Sequence, residues 1–230
     1  MEASCEGLVR GLGQAGSTNI HLNHAVASMC GLLYRLDIEN SMSSSVKLIK
    51  TRRFGDDRGW FSETYSVRAL AKAGIHDRFV QDNQSYSAFT GTVRGLHFQR
   101  PPHAQAKLVR CTRGSIMDYA VDVRRGSPTY GRWVFALLSA ENGSQLYVPV
   151  GFAHGFVTLE SDTEVAYKVT DIYSPDSDGG ILWNDGTIGI DWPLPGTGAV
   201  LSDKDKLLPG LAEFDSPFEY DGTPLEALEV

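Results

Sequence analysis

A chain of 230 residues with 42% hydrophobic positions can fill one ordinary β core, since sandwiches and barrels of this length often form single domains. Its 28 Asp and Glu against 21 Lys and Arg give a formal charge of −7, which argues against a surface built for nucleic acid or an anionic membrane and leaves phosphate contacts to a local cluster. Three cysteines, Cys5, Cys30 and Cys111, are too few and too odd in number for a disulfide framework and lack metal-ligand spacing, so a reducing, cytoplasmic setting is expected.

The apolar run Ala25 to Tyr34 is too short to cross a bilayer. Its length suits the core of an export signal, but Arg35 and Asp37 follow directly and no small-x-small cleavage site comes after it. Residues 1–41 are therefore expected to be an irregular extension, with Met42 as a natural alternative start. The folded domain is expected over 42–212, and 213–230 is an acidic tail without Lys or Arg, mobile or lightly docked.

Val46 to Ile49 reads as an edge strand, and Phe54 to Gly59 as a tight turn with two glycines and two aspartates. Val67 to Gly74 is the one convincing helical pattern, with Gly74 as its stop. From Phe79 onward short apolar runs alternate with turn residues: Phe79 to Asn83, Gly91 to Phe98, Lys107 to Cys111, Ser115 to Val123, Arg132 to Leu138, Gln145 to Val148, Gly155 to Leu159 and Thr163 to Thr170. Runs at this spacing predict a sandwich or closed barrel. After Pro175 the pattern turns irregular, and Leu201 to Lys206 predicts a short capped turn.

The stretch Arg94-Gly95-Leu96-His97-Phe98-Gln99, followed by Lys107 and Arg110, predicts a β-hairpin with its loop at Arg100 to Ala106. On a regular strand Arg94, Leu96 and Phe98 would share one face and Gly95, His97 and Gln99 the other. That second face is small, polar and titratable, which points to a lined pocket. Farther on, Gly143, Pro149-x-Gly151 and His154-Gly155 resemble the second signature of the cupin jelly roll, in which Pro and Gly shape a turn that places a His inside the barrel. Where the first cupin signature has two histidines one residue apart, this chain has His97-Phe98-Gln99. Iron, manganese and zinc sites need about three converging N or O ligands. With only His97 and His154 available in the barrel, no metal is expected.

Nine blocks together carry a closer resemblance: Phe54 to Gly59, Phe79 to Asn83, Arg94 to Gln99, Lys107 to Arg110, Val121 to Arg124, Leu138 to Asn142, Gly151 to Phe156, Tyr167-Lys168 and Leu201 to Asp205. In this order, over roughly Leu48 to Asp205, the chain resembles the dTDP-4-dehydrorhamnose 3,5-epimerase family. The resemblance implies an all-β, cupin-type jelly-roll barrel with short helices. It also implies a cofactor-independent inversion of C3′ and C5′ in dTDP-4-dehydro-6-deoxy-D-glucose, a nucleotide-sugar partner and a homodimer built by strand exchange.

By the same resemblance, His97 is the base, Asp205 its holder, Lys107 the enolate stabiliser and Tyr167 the acid. Arg58, Glu63, Gln81, Asp82, Asn83, Arg94, His154, Asp178 and Lys204 fall on nucleotide-sugar contacts, and Tyr173 falls on the thymine stack. Asp178 departs from the Glu common in the family, and Ile172 from an aromatic. Asp118, Asp122, Arg124 and Trp133 read as structural. Rival readings are an epimerase acting on one carbon, a non-catalytic nucleotide-sugar binder and a metal-dependent oxygenase.

Overall fold

A computed structural model describes residues 46–228, so the expected extension 1–41 lies outside the described residues. Twelve strands lie among the described residues: β1 Lys47–Ile49, β2 Arg53–Asp56, β3 Gly59–Ser62, β4 Gln81–Ser87, β5 Val93–Gln99, β6 Lys107–Arg113, β7 Ser115–Asp122, β8 Trp133–Ser139, β9 Gln145–Val148, β10 Phe152–Thr158, β11 Thr163–Val169 and β12 Asp178–Gly180. One sheet runs β1-β9-β6-β11-β4, a second β12-β5-β10-β7-β8, and β2-β3 form a separate hairpin. From β5 to β12 the chain changes sheet at nearly every connection, which is the jelly-roll arrangement expected. The one α-helix among the described residues, α1 Val67–Lys72, starts at Ser66, whose side chain accepts from Ala69 N–H at 3.3 Å, and Gly74 follows it at φ +77°.

The expected hairpin between β5 and β6 does not form. Strand β5 pairs with β10 and β12, whereas β6 pairs with β9 and β11, so the loop 100–106 crosses from one sheet to the other. Alternation then places Val109 and Cys111 of β6, Leu146 and Val148 of β9 and Val165 of β11 opposite Ile116 and Ala120 of β7, Leu138 of β8 and Phe152 and Phe156 of β10 in one buried core. Lys107, His154 and Tyr167 continue these inward rows at one end.

The irregular part after Pro175 contains β12, which composition alone would not suggest. Its Asp-Gly-Gly sequence has no β propensity, but a Cβ at Gly180 would sit 2.5 Å from the Leu96 carbonyl oxygen and one at Gly179 would sit 2.7 Å from the Phe98 ring. The strand exists because bare backbone can lie that close to β5.

The acidic tail is firmly docked rather than loose. Arg125 N–H donates to the Phe218 carbonyl at 2.7 Å, Tyr220 N–H donates to the Arg125 carbonyl at 3.0 Å, and Leu228 joins the core. Phe214 and Phe218 pack against Phe98 with ring centres 5.1 and 5.6 Å apart. Apolar side chains spaced between the acids supply the docking that net charge alone conceals.

Candidate active site

A register shift organises the site. His154 of β10 pairs with His97 of β5, and Phe156 pairs with Arg94, so two steps along β10 span three along β5. The extra residue is a β-bulge, and it reverses the facing of everything beyond it. The expectation that Arg94 faces away from His97 is thereby corrected: both line one cavity of about 460 Å³, a size usual for small-molecule sites. Glycines permit the bulge, since a Cβ at Gly95 would lie 2.5 Å from the Gly155 Cα, and Gly95 has φ +139°.

The cavity is lined by His97, Lys107, His154, Tyr167, Arg94, Asp205 and Lys204, together with Ser85 and Ser202, which sequence reasoning had passed over. His97 Nε2 lies 2.7 Å from Asp205 Oδ1. Burial tends to raise the Asp205 carboxyl, but the His97 imidazole, the Ser202 hydroxyl and the Gly95 N–H outweigh it and hold the carboxyl below its usual range. Asp205 is therefore an acceptor, and Nε2 donates the proton between them. The other ring nitrogen, Nδ1, has no hydrogen-bond partner among the described residues and is left for chemistry.

Lys107 Nζ donates to the His97 carbonyl at 3.2 Å. Burial pushes its ammonium down to about 8, opposed by the charges of Asp118 and Asp178. Tyr167 stands on β11, and its phenol is raised above the ordinary value, first by burial, with Arg94 pulling the other way. A phenol that holds its proton more tightly stays protonated at neutral pH.

Asp118, read from sequence as structural, stands beside this machinery. Its Oδ1 lies 2.7 Å from His154 Nε2, it is fully buried, and its Oδ2 has no hydrogen-bond partner among the described residues. The available signal was a lone carboxylate inside the apolar run Ile116 to Val121.

Other expected residues stand apart from the cavity. Gln81 Oε1 accepts from Tyr173 N–H at 3.1 Å and its amide donates to Asn83 at 2.8 Å, Tyr173 Oη is 3.4 Å from Asp178, and Asp178 pairs with Lys204. Gln81, Asn83, Tyr173 and Asp178 thus form a rim leading to Lys204, and the short Asp178 side chain still reaches it. Asp82 is not part of this rim. Alternation on β4 turns it to the opposite face, where it pairs with Lys168 at 2.7 Å, apart from this cavity.

Arg58 and Glu63 also lie away from the cavity of their own chain. Arg58 is exposed at the tip of the β2-β3 hairpin, where it pairs with Asp56 at 2.5 Å. Among the described residues no group of three or more His, Cys, Asp or Glu side chains converges as a metal site would, and no helix is long and apolar enough to cross a membrane.

A jelly-roll barrel enclosing an imidazole backed by a carboxylate, an ammonium and a phenol defines an acid–base enzyme acting on a carbon acid. The family model for dTDP-4-dehydrorhamnose 3,5-epimerase matches residues 42–213, and the chain belongs to that family. The curated dTDP-4-dehydrorhamnose 3,5-epimerase of Sinorhizobium fredii is 57% identical over 177 residues, covering 77% of this chain and 90% of the relative. Among solved structures, the Bacillus anthracis enzyme with TDP and PPi bound superposes with a TM-score of 0.71 at 51% identity, over 75% of this chain and 97% of that one. The Legionella pneumophila enzyme in complex with dTDP-4-keto-L-rhamnose gives a TM-score of 0.75 at 42% identity, over 80% and 97%.

Proposed function

We propose that this epimerase inverts C3′ and C5′ of dTDP-4-dehydro-6-deoxy-D-glucose to give dTDP-4-dehydro-L-rhamnose, with His97 as base and Tyr167 as acid. The observation that carries the assignment of roles is the convergence of His97, Lys107 and Tyr167 on one cavity. His97 Nδ1 takes the proton α to the ketone; the C–H electron pair becomes the enolate double bond and the carbonyl pair moves to oxygen. Asp205 steadies the imidazolium at Nε2, and the Lys107 ammonium faces the developing oxyanion. The enolate carbon then takes the phenol proton of Tyr167 from the opposite face of the ring, and solvent resets both groups.

Arg94 and Lys204 supply positive charge for the diphosphate, Tyr173 on the rim takes the thymine, and Gln81, Asn83 and Asp178 hold that rim. Arg58 and Glu63 ride on a hairpin whose Phe54, Trp60 and Phe61 are exposed, at 53%, 59% and 70%. Such a surface suits an interface. The hairpin is proposed to meet a second copy, so that the working enzyme is a homodimer in which each copy lends Arg58 and Glu63 to its partner's cavity. The three cysteines and the free, buried Cys111 thiol fit a cytoplasmic setting.

The test is turnover of purified dTDP-4-dehydro-6-deoxy-D-glucose in deuterated water, read by NMR. Deuterium at both C3′ and C5′ is expected, label at one carbon points to a single-carbon epimerase, and no label overturns the catalytic reading.

A further inference from the structure

The cavity holds two His–Asp pairs, and only one of them is needed as a base. His97 and His154 face each other directly across β5 and β10, and each gives its Nε2 to a carboxylate at 2.7 Å. Their surroundings differ: the His97 side chain is 30% exposed and that of His154 is 8% exposed. In the second pair a carboxylate oxygen can only accept, so at 2.7 Å the proton between them sits on His154 Nε2. Burial lowers His154 and outweighs the opposing pull of Asp118, with Lys107 and His97 adding to the lowering, so the neutral ring is the favoured form. A neutral imidazole with a protonated Nε2 has a bare Nδ1, and among the described residues nothing bonds to His154 Nδ1 although the residue lines the cavity.

This nitrogen is a fixed acceptor, and it requires a donor. A phosphate oxygen has no proton to give at neutral pH, and neither does a ketone. Resting on the epimerase reading, the hexose offers two hydroxyls, at C2 and C3. The C3 hydroxyl changes face when its carbon inverts, whereas the C2 hydroxyl stays where it is throughout the reaction. We propose that His154 Nδ1 accepts the C2 hydroxyl of the hexose, and that Asp118 is the positioning residue that fixes the tautomer required, making the pair a selector for C2-hydroxylated sugars. Without that hydroxyl the buried acceptor is desolvated and unpaired, a loss that sites built around hydrogen bonds convert into discrimination.

The experiment compares deuterium wash-in for the native substrate and its hexose-C2-deoxy analogue. Wild type should process the analogue about 10- to 100-fold worse in kcat/KM, the range set by one unpaired buried acceptor. In His154→Leu that ratio should collapse toward one, because native substrate loses its partner while the analogue loses nothing. Asp118→Asn should reduce the ratio while leaving dTDP affinity unchanged. Imidazole ¹⁵N NMR of the wild type, assigned by the signal missing in His154→Leu, should display a protonated Nε2 and a bare Nδ1 for His154 at neutral pH. A doubly protonated His154, equal turnover of the two substrates by wild type, or a ratio untouched in His154→Leu would each overturn the proposal. Absence of wash-in from native substrate would instead remove the epimerase reading beneath it.

Discussion

Two buried charged clusters stand on neighbouring strands of the same sheet, and they end differently. In the Asp122 cluster, Oδ1 accepts from Arg124 N–H and Nε, each at 3.0 Å, while Oδ2 accepts from Arg124 Nη2, Ser127 and Thr129 at 2.8, 2.6 and 2.7 Å. Arg124 Nη1 donates to Asp221 of the tail at 2.9 Å, and its guanidinium lies over the Phe152 ring at 4.5 Å. This cluster is closed, with the carboxylate fully buried and the guanidinium nearly so. In the pairs His97–Asp205 and His154–Asp118, by contrast, each imidazole spends one nitrogen on a carboxylate and presents the other to a cavity. A saturated cluster can only hold the fold, whereas a cluster with one free valence in a cavity can act on what enters.

That contrast separates by mutation. His97→Ala should reduce deuterium wash-in at both C3′ and C5′ by about 10²- to 10⁴-fold, the range for losing a general base, with the melting temperature nearly unchanged. Wash-in persisting at one of the two carbons would mean that another group serves as base there. Asp122→Ala should do the converse. Stranding Arg124 in the interior costs about 3–5 kcal/mol, a large fraction of the stability of an ordinary domain, and should lower the melting temperature by roughly 10 °C. Activity per folded molecule should hold. Burial tends to raise the Asp122 carboxyl, but Arg124, Ser127 and Thr129 outweigh it and set it below its unfolded value. Its contribution is therefore present above about pH 4 and lost as pH falls through the depressed folded value, so wild type and variant should converge in stability in acid.

The strands from β4 to β11 were legible because each is a short apolar run between turn residues, and the resemblance assigned His97, Lys107, Tyr167 and Asp205 to one site. What escaped the sequence was long-range pairing. A β5-β6 hairpin and a two-sheet crossover share the same local pattern, and only partner strands decide between them. The bulge opposite Gly155 left no mark in periodicity, so Arg94 read as facing away. Asp82 matched a block of the family but stands on the wrong face of β4 to follow its neighbours Gln81 and Asn83 inward. Asp118 and Asp122 are both carboxylates in one apolar strand, and composition cannot tell which has a cavity behind its partner.

The environment of Lys107 sharpens the contrast through pH. With its ammonium pushed down to about 8 by burial, the proposed enolate stabiliser is charged below that pH and neutral above it. kcat/KM, which reports groups of the free enzyme, should therefore fall on an alkaline limb centred near pH 8, where an exposed lysine would hold to about 10.4. In Lys107→Arg the limb should vanish, because a guanidinium stays charged, even though its planar fork fits a point-charge site badly and lowers the maximum rate. A limb at the same pH in that variant would assign the titration to another group.

Asp205→Asn should have the smallest effect of the four. The amide can still meet His97 Nε2 through its oxygen, but it carries no charge to favour the imidazolium formed when Nδ1 takes the substrate proton, and it can turn to present N–H instead. The rate of wash-in should fall while dTDP-sugar affinity changes little, since the Asp205 carboxylate, although it borders the cavity, is engaged by the proposed base His97. An affinity loss with an unchanged rate would make Asp205 a substrate contact, and the free valence of the His97 pair would then have to be sought on the carboxylate side.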